Sequence, residues 1–258
     1  VIDHVQRLDN ATYFTRNEPL GDEDLRSLYG YPSGRGRPWL RVNFVSSIDG
    51  AVAVDGASAG LGTPADQRVF GILRELADAV VVGGGTARAE DYGGARMSAA
   101  EVERRRSRGQ SDVPPIVVVT ASGRLDPGSR LFTDTVVAPI VLTSARADAG
   151  QLTRLQDAGA EVAVIADAAV GGRELVATLR RRGLYRVLCE GGPGLFGALL
   201  ADGVVDEVCL TMSPQLVAGA AGRIAVSPAA SPTPMRRAHV LGDDDGTLLT
   251  RWVRADDA

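Results

Sequence analysis

Short, uninterrupted apolar runs alternate along this chain with stretches in which apolar residues recur every three or four positions. The first pattern predicts strands buried on both faces, and the second predicts helices that lay one stripe on a sheet. Strands are expected over residues 40–46, 79–82, 116–120, 140–143, 161–165, 186–189, 207–212 and 247–253. Helices are expected over 64–76, 99–108, 149–158, 173–182 and 193–201. In the first of these helices, Val69, Leu73 and Leu76 form the apolar stripe, Thr63 and Pro64 suit the N-cap and first helical position, and Gly183 and Gly203 sit where helices stop. Strands alternating with helices imply an α/β fold: a mostly parallel central sheet with helices on both faces. Residues 1–37 are polar and broken by Pro19, Gly21, Gly30, Pro32, Gly34 and Gly36, so they read as an N-terminal arm with one short helix over 23–29 that packs on a single domain of residues 38–258. The Ala-, Gly- and Pro-rich stretch 213–235 reads as a loop.

Composition narrows the chemistry. The 258 residues are 45% hydrophobic and 23% charged, enough for one sizeable core. With 28 basic and 32 acidic side chains the formal charge is -4, so nucleic acid is not an expected partner. The chain has no Lys, which excludes Schiff-base chemistry and a P-loop lysine, and leaves anions to Arg or to backbone N–H groups. Two cysteines, Cys189 and Cys209, and two histidines, His4 and His239, are too few and too scattered for a metal site, and none is expected. No apolar run is long enough to cross a membrane and no export signal is visible, so a cytoplasmic protein is expected.

Several motifs could carry function. Val80–Val82 runs into Gly83, Gly84, Gly85 and Thr86, and the strand over 186–189 runs into Glu190, Gly191, Gly192, Pro193, Gly194 and Leu195. Each reads as a strand-to-helix turn whose N–H groups cradle phosphate; together they make half-sites for a dinucleotide. The alternative is that the glycines only permit close packing. Glu190 reads either as a ligand for substrate or ribose hydroxyls or as a backbone cap. Asp49, in Ser46-Ser47-Ile48-Asp49-Gly50, is a turn residue or a site carboxylate. Asp66, in the first turn of a helix, is favoured by the helix N-terminus or else points into a cleft as a proton donor to a nitrogen heterocycle. Arg74 and Arg96 lie near the turns and are candidates for an anionic substrate. The runs Arg104-Arg105-Arg106 and Arg180-Arg181-Arg182 read as a solvated helix face and a helix C-terminus. Thr120, Ser122 and Arg124 could take a ribose 2′-phosphate.

The order Ser46-Ser47-Ile48-Asp49-Gly50, Leu73-Arg74, Ala77-Asp78-Ala79, Gly83-Gly84-Gly85-Thr86 and Glu190-Gly191-Gly192-Pro193 resembles the reductase domain of riboflavin biosynthesis, from about residue 39 to 253. The resemblance, which is closest to stand-alone actinobacterial reductases, implies a dihydrofolate reductase-like fold, NADPH as cofactor and a homodimer. It also implies reduction of a ribosylaminopyrimidine 5′-phosphate at C1′. By matching position, cofactor contacts fall on Gly83, Gly84, Gly85, Thr86, Glu90, Gly191, Gly192, Pro193, Gly194 and Leu195, with the 2′-phosphate near Thr120 and Ser122. Substrate contacts fall on Ser58, Arg74, Arg96 and Glu190. The substrate is expected between the Asp49 turn and the Asp66 helix, with these two carboxylates as the catalytic candidates. Glu90 stands where the family has Asp, and Gly60 where many relatives have a large aromatic. No zinc deaminase domain is seen, so only the reduction is expected of this chain. Thr63-Pro64-Ala65-Asp66 also looks like the pterin-binding segment of dihydrofolate reductases, which makes a dihydropteridine substrate the second reading. A catalytically silent NADPH-binding protein is the third.

Overall fold

The computed structural model describes residues 19–34 and 36–255. Residues 1–18 of the expected arm, His4 among them, lie outside the described residues. One nine-stranded sheet organises the rest, with strands β1 (Trp39–Ser47), β2 (Ala79–Gly83), β3 (Ile116–Thr120), β4 (Ile140–Ser144), β5 (Glu161–Ala166), β6 (Arg186–Cys189), β7 (Glu207–Ser213), β8 (Met235–Gly242) and β9 (Leu248–Arg254). Their spatial order is β5-β4-β3-β2-β6-β1-β7-β9-β8. All pairings from β5 through β7 are parallel; β9 runs antiparallel to β7, and β8 antiparallel to β9.

Alternation within the apolar runs builds two cores. Val80, Val82, Ile116, Val118, Val141 and Leu188 face one layer, where they meet Leu25 of α1 (Asp22–Leu28), Val69, Ile72 and Leu73 of α2 (Pro64–Leu76), and Leu155 further along the chain. Ala79, Val81, Val117, Leu142, Val187 and Cys189 face the other layer, with its Leu175, Leu179, Phe196 and Leu199. A strand read as continuously apolar therefore feeds both faces of the sheet at once. The remaining helices are α3 (Gly84–Ala89), α4 (Ala99–Ser107), α5 (Arg130–Thr133), α6 (Ala149–Asp157), α7 (Gly172–Arg181) and α8 (Pro193–Ala201).

Local chemistry places the helix ends as expected. Thr63 Oγ1 accepts from the Asp66 N–H at 3.3 Å at the start of α2. Gly183 and Gly203, after α7 and α8, have φ of +73° and +66°. The arginine run in α4 is a correction. Arg105 is fully buried, and its Nη1 donates to the carbonyl oxygens of Glu75 at 2.8 Å and Ala77 at 2.6 Å. It satisfies the carbonyls that α2 leaves open at its C-terminus, while Arg104 and Arg108 bind the buried Glu75 carboxylate. Periodicity could not show this, because an arginine reaching another helix's end carries no hydrophobic signal.

The described part of the arm packs on the sheet. Arg41 Nη2 donates to the Tyr29 carbonyl at 2.6 Å, Arg251 Nη1 to that of Leu28 at 2.6 Å, and Arg26 Nε to Glu75 at 2.9 Å. The stretch 213–235 holds no strand or helix between β7 and β8, as its composition predicts.

Candidate active site

The chain runs outward from β1 through β2, β3, β4 and β5, then returns to insert β6 between β2 and β1. Loops leaving the carboxyl ends of β1, β2 and β6 diverge there, and a cleft of about 650 Å³ opens between them.

The two glycine turns meet at the rim of this cleft. The Gly83 N–H donates to the Gly191 carbonyl at 2.7 Å. A Cβ on Gly192 would lie 2.2 Å from Thr86 Oγ1, and one on Gly84 3.0 Å from the Thr120 Cβ. Gly191, at φ +89°, leaves only 2.6 Å to the Phe44 ring. These positions are glycine because the Thr86, Thr120 and Phe44 side chains stand where a Cβ would lie. Gly85 and Gly194 are different: a Cβ at either would meet nothing within 4 Å. Each is the second residue of its helix, α3 or α8, where N–H groups have no carbonyl of their own helix to bond. Close packing thus accounts for Gly84, Gly191 and Gly192, while Gly85 and Gly194 face open space.

One face of α2 supplies the cleft wall. Asp66, Phe70 and Arg74 are spaced four residues apart and all line it, on the face next to the buried Val69, Leu73 and Leu76. Burial pushes the Asp66 carboxyl above its ordinary value, and a hydrogen bond with the Thr211 side chain partly offsets that. The Arg74 guanidinium lies 4.5 Å above the Phe70 ring centre, and its Nε and Nη2 donate to the two oxygens of Glu190, both at 2.7 Å. Tyr92 Oη donates to the same carboxylate at 2.7 Å. Burial first, and the Glu190 charge second, push the Tyr92 phenol well above its ordinary value, so it remains a donor. Glu90 accepts the Ser58 N–H at 3.1 Å and ties the loop after β1 to the end of α3.

Ser58, Asp66, Arg74, Thr86, Glu90, Glu190, Gly192 and Pro193 therefore come together from four separate segments of chain. Gly83, Gly84, Gly85, Gly191, Gly194 and Leu195 form the turns beside them, and Thr120 lies against Gly84 at the end of the neighbouring β3. Ser122, just beyond β3, accepts the Arg124 N–H at 3.4 Å.

Two expected residues lie elsewhere. Asp49 does not face Asp66 across the cleft; it lines a separate hollow of about 420 Å³ with Ser46 and Arg223. Its carboxylate accepts from the Ser47 hydroxyl and from the N–H groups of Val217 at 3.2 Å and Ala218 at 2.7 Å. Those bonds hold it below its ordinary value, which suits a turn anchor and not a proton donor. Arg96 is exposed and paired with Asp134 outside the cleft lining. Sequence reasoning missed Phe70, Tyr92 and Arg130. The spacing of Phe70 between Asp66 and Arg74 was a usable signal; Tyr92 and Arg130, in loops and a single-turn helix, had none.

An α/β sheet whose strands end at a cleft bordered by two glycine turns and a buried acid has the architecture of an enzyme acting on small molecules. The chain belongs to the RibD C-terminal domain family, whose model matches residues 38–249, and it is an oxidoreductase. It is 30% identical over 184 residues to the 2,5-diamino-6-ribosylamino-4(3H)-pyrimidinone 5′-phosphate reductase of Archaeoglobus fulgidus, covering 71% of this chain and 83% of that one. Identity is likewise 30%, over 216 residues, to the reductase of the same description from Methanothermobacter thermautotrophicus, covering 81% of this chain and 95% of that one. A pyrimidine reductase-like protein from Corynebacterium diphtheriae shares the fold with a TM-score of 0.78 at 26% identity, over 85% of this chain and 93% of its own. The α/β fold expected from the alternating runs is the one observed.

Proposed function

We propose that this chain reduces a ribosylaminopyrimidine 5′-phosphate at C1′ with NADPH, the reaction type of riboflavin biosynthesis. One observation carries the reading: the open cradle at Gly85 and Gly194 abuts the wall of Asp66, Phe70 and Arg74. The cradle fits a nicotinamide dinucleotide, with Gly84, Gly85 and Thr86 on one side of its pyrophosphate and Gly192, Pro193, Gly194 and Leu195 on the other. Thr120 and Ser122, at the end of β3, are the candidates for the adenosine 2′-phosphate. A nicotinamide bound there supplies hydride.

The chain's own groups do the rest. Phe70 offers an apolar face to the heterocycle, and Glu190, held by Arg74 and Tyr92, accepts hydrogen bonds from ring N–H groups or ribose hydroxyls. Asp66, kept protonated to higher pH by burial, donates its carboxyl proton to the ring oxygen O4′ as the C1′–O4′ bond opens. Orientation and this single proton account for catalysis, with no covalent intermediate. A homodimer in a reducing compartment completes the proposal, and the buried, unpaired Cys189 and Cys209 suit such a compartment.

The same Asp66 in the same cleft supports a second reading, protonation of a dihydropteridine ring. Following NADPH absorbance with the pyrimidine phosphate and dihydrofolate in parallel separates the two. Turnover of the phosphate faster by about 100-fold, or roughly 2.7 kcal/mol of transition-state stabilisation, is expected. A preference for dihydrofolate would replace the first reading with the second, and oxidation with neither would leave a cofactor-binding protein.

A further inference from the structure

Glu190 enters the cleft directly from the end of β6, where its N–H donates to the Val81 carbonyl of β2 at 2.9 Å, and its side chain is only 2% exposed. A carboxylate offers about four acceptor positions, shared equally between its oxygens. Oε1 takes Arg74 Nε, and Oε2 takes both Arg74 Nη2 and Tyr92 Oη, each bond at 2.7 Å. Oε2 is thereby filled, and Oε1 keeps an open position.

These donors come from two directions. The pair from Arg74 lies in the single plane of its guanidinium and leaves the carboxylate a hinge about the line joining its oxygens. The phenol, reaching Oε2 from the segment after α3, removes that freedom. Burial, and then the Glu190 charge, keep the phenol protonated well above its ordinary range, so it donates throughout the working range of pH.

The backbone delivers the phenol to a fixed place. Asp91, just before it, lies in the left-handed region at φ +45°, which turns the chain back after α3. The Tyr92 N–H donates to the Ala87 carbonyl at 3.0 Å, and further on the Gly94 N–H donates to the Asp134 carbonyl at 2.8 Å. A Cβ on Gly94 would stand 2.3 Å from Thr135 Oγ1, so the chain is pressed against its neighbour on that side also. The Arg74 guanidinium lies between the two aromatics, 4.5 Å from the Phe70 ring centre and 5.9 Å from that of Tyr92.

We infer that Tyr92 is a positioning residue: its hydroxyl fills Oε2 of Glu190 and fixes the carboxylate, so that Oε1 alone accepts a single N–H or O–H donor from the ligand. The identity of the ligand rests on the function proposed above; the hold on Glu190 rests on the geometry of Arg74, Tyr92 and Glu190. A ligand that presents paired donors to both oxygens of a carboxylate, as amidines and vicinal diols do, finds Oε2 occupied. Tyr92 thereby narrows what Glu190 recognises.

The test compares Tyr92→Phe, which removes the hydroxyl and keeps the ring, with Tyr92→Leu, which removes both. Each variant is expected to raise KM for the pyrimidine phosphate by about tenfold, with kcat held within about twofold and NADPH affinity unchanged, because the contact loosened is common to ground and transition states. Only Tyr92→Leu is expected to melt markedly lower, since only it loses the ring. A KM that rises in Tyr92→Leu and not in Tyr92→Phe would give the residue a packing role alone and overturn the inference. Solvent exchange of the Arg74 Nε–H, followed by NMR of the guanidinium, reads the hold on Glu190 with no substrate present. Exchange faster by about tenfold in Tyr92→Phe supports the inference, and unchanged exchange overturns it. A wild-type chain that turns over no pyrimidine phosphate would fail the function proposed above and leave the exchange result to decide Tyr92 on its own.

Discussion

At the scale of single residues, the cleft separates carboxylates by environment. Asp66 and Asp49 look equivalent in sequence, each an acid near the end or start of an element. Burial raises Asp66, whereas the hydrogen bond from Ser47, with help from Ala218 and Val217, lowers Asp49. Of the two, only Asp66 has its protonated form favoured by its surroundings. Asp66→Asn is expected to lower kcat by about 10²–10³-fold with a smaller change in cofactor affinity. The working form is the protonated one, so the wild-type rate should fall as pH rises through the raised Asp66 value. Asn does not titrate, and its residual rate should lack that limb; a limb that persists in Asp66→Asn would assign the proton to another group. Asp49→Asn, by contrast, should leave the pH profile unchanged.

At the scale of elements, both glycine turns end a strand and start a helix, and they divide labour between fit and function. Gly192→Ala is expected to lower the melting temperature, because the new Cβ would lie 2.2 Å from Thr86 Oγ1. Gly85→Ala and Gly194→Ala enter open space at the second positions of α3 and α8 and should melt no lower than the wild type. They should nevertheless weaken NADPH binding, by about tenfold each in a fluorescence titration, since the methyl group occupies the cradle. Unchanged NADPH affinity in both would mean the turns are purely structural. The sequence carried these turns clearly, and it carried the strands and long helices, because buried strands and one-sided helices leave periodic apolar signals. It hid α3, since Gly84 and Gly85 look like a turn even though helix starts there. It hid β8 as well: an edge strand opening Met235-Arg236-Arg237 has little to bury and so shows no apolar run. The pairing of Arg74 with Glu190, 116 residues apart, depends on β6 inserting beside β2, which no local pattern encodes.

At the scale of the whole molecule, the arm and the sheet are joined by charge as much as by apolar packing, and this should govern behaviour in acid. Glu75 is fully buried and takes hydrogen bonds from Arg26, Arg104 and Arg108; Glu207, equally buried, takes them from Arg41, Arg251 and the Trp39 indole. Burial alone would raise both carboxyls, but the arginines win and hold each at about 2. A carboxylate held low stabilises the fold above its ordinary value near 4.5 and loses that contribution as pH falls toward 2, on the order of 3 kcal/mol for each. His239 acts in the same direction at higher pH. Burial first, and Arg251 next, lower it from 6.5 to about 4, so the folded state keeps it neutral while the unfolded chain takes up a proton. Its contribution is intact above 6.5 and gone below about 4. His239 stacks edge-on against Tyr29, and Arg41 and Arg251 bond the carbonyls of Tyr29 and Leu28, so His239 and Glu207 bear on the arm's attachment, as Glu75 does through Arg26. Melting temperature should therefore decline in two stages on acidification, gently from pH 6.5 to 4 and steeply below. Glu207→Gln leaves Arg41 buried with its partner's charge removed and should cost about 3–5 kcal/mol at pH 7. That variant should also flatten the steep stage, and hydrogen exchange should show α1 amides losing protection before those of β2 and β3. If α1 and the central strands open together at every pH, the arm belongs to one cooperative unit and its ionic anchors hold the whole sheet, not a separable flap.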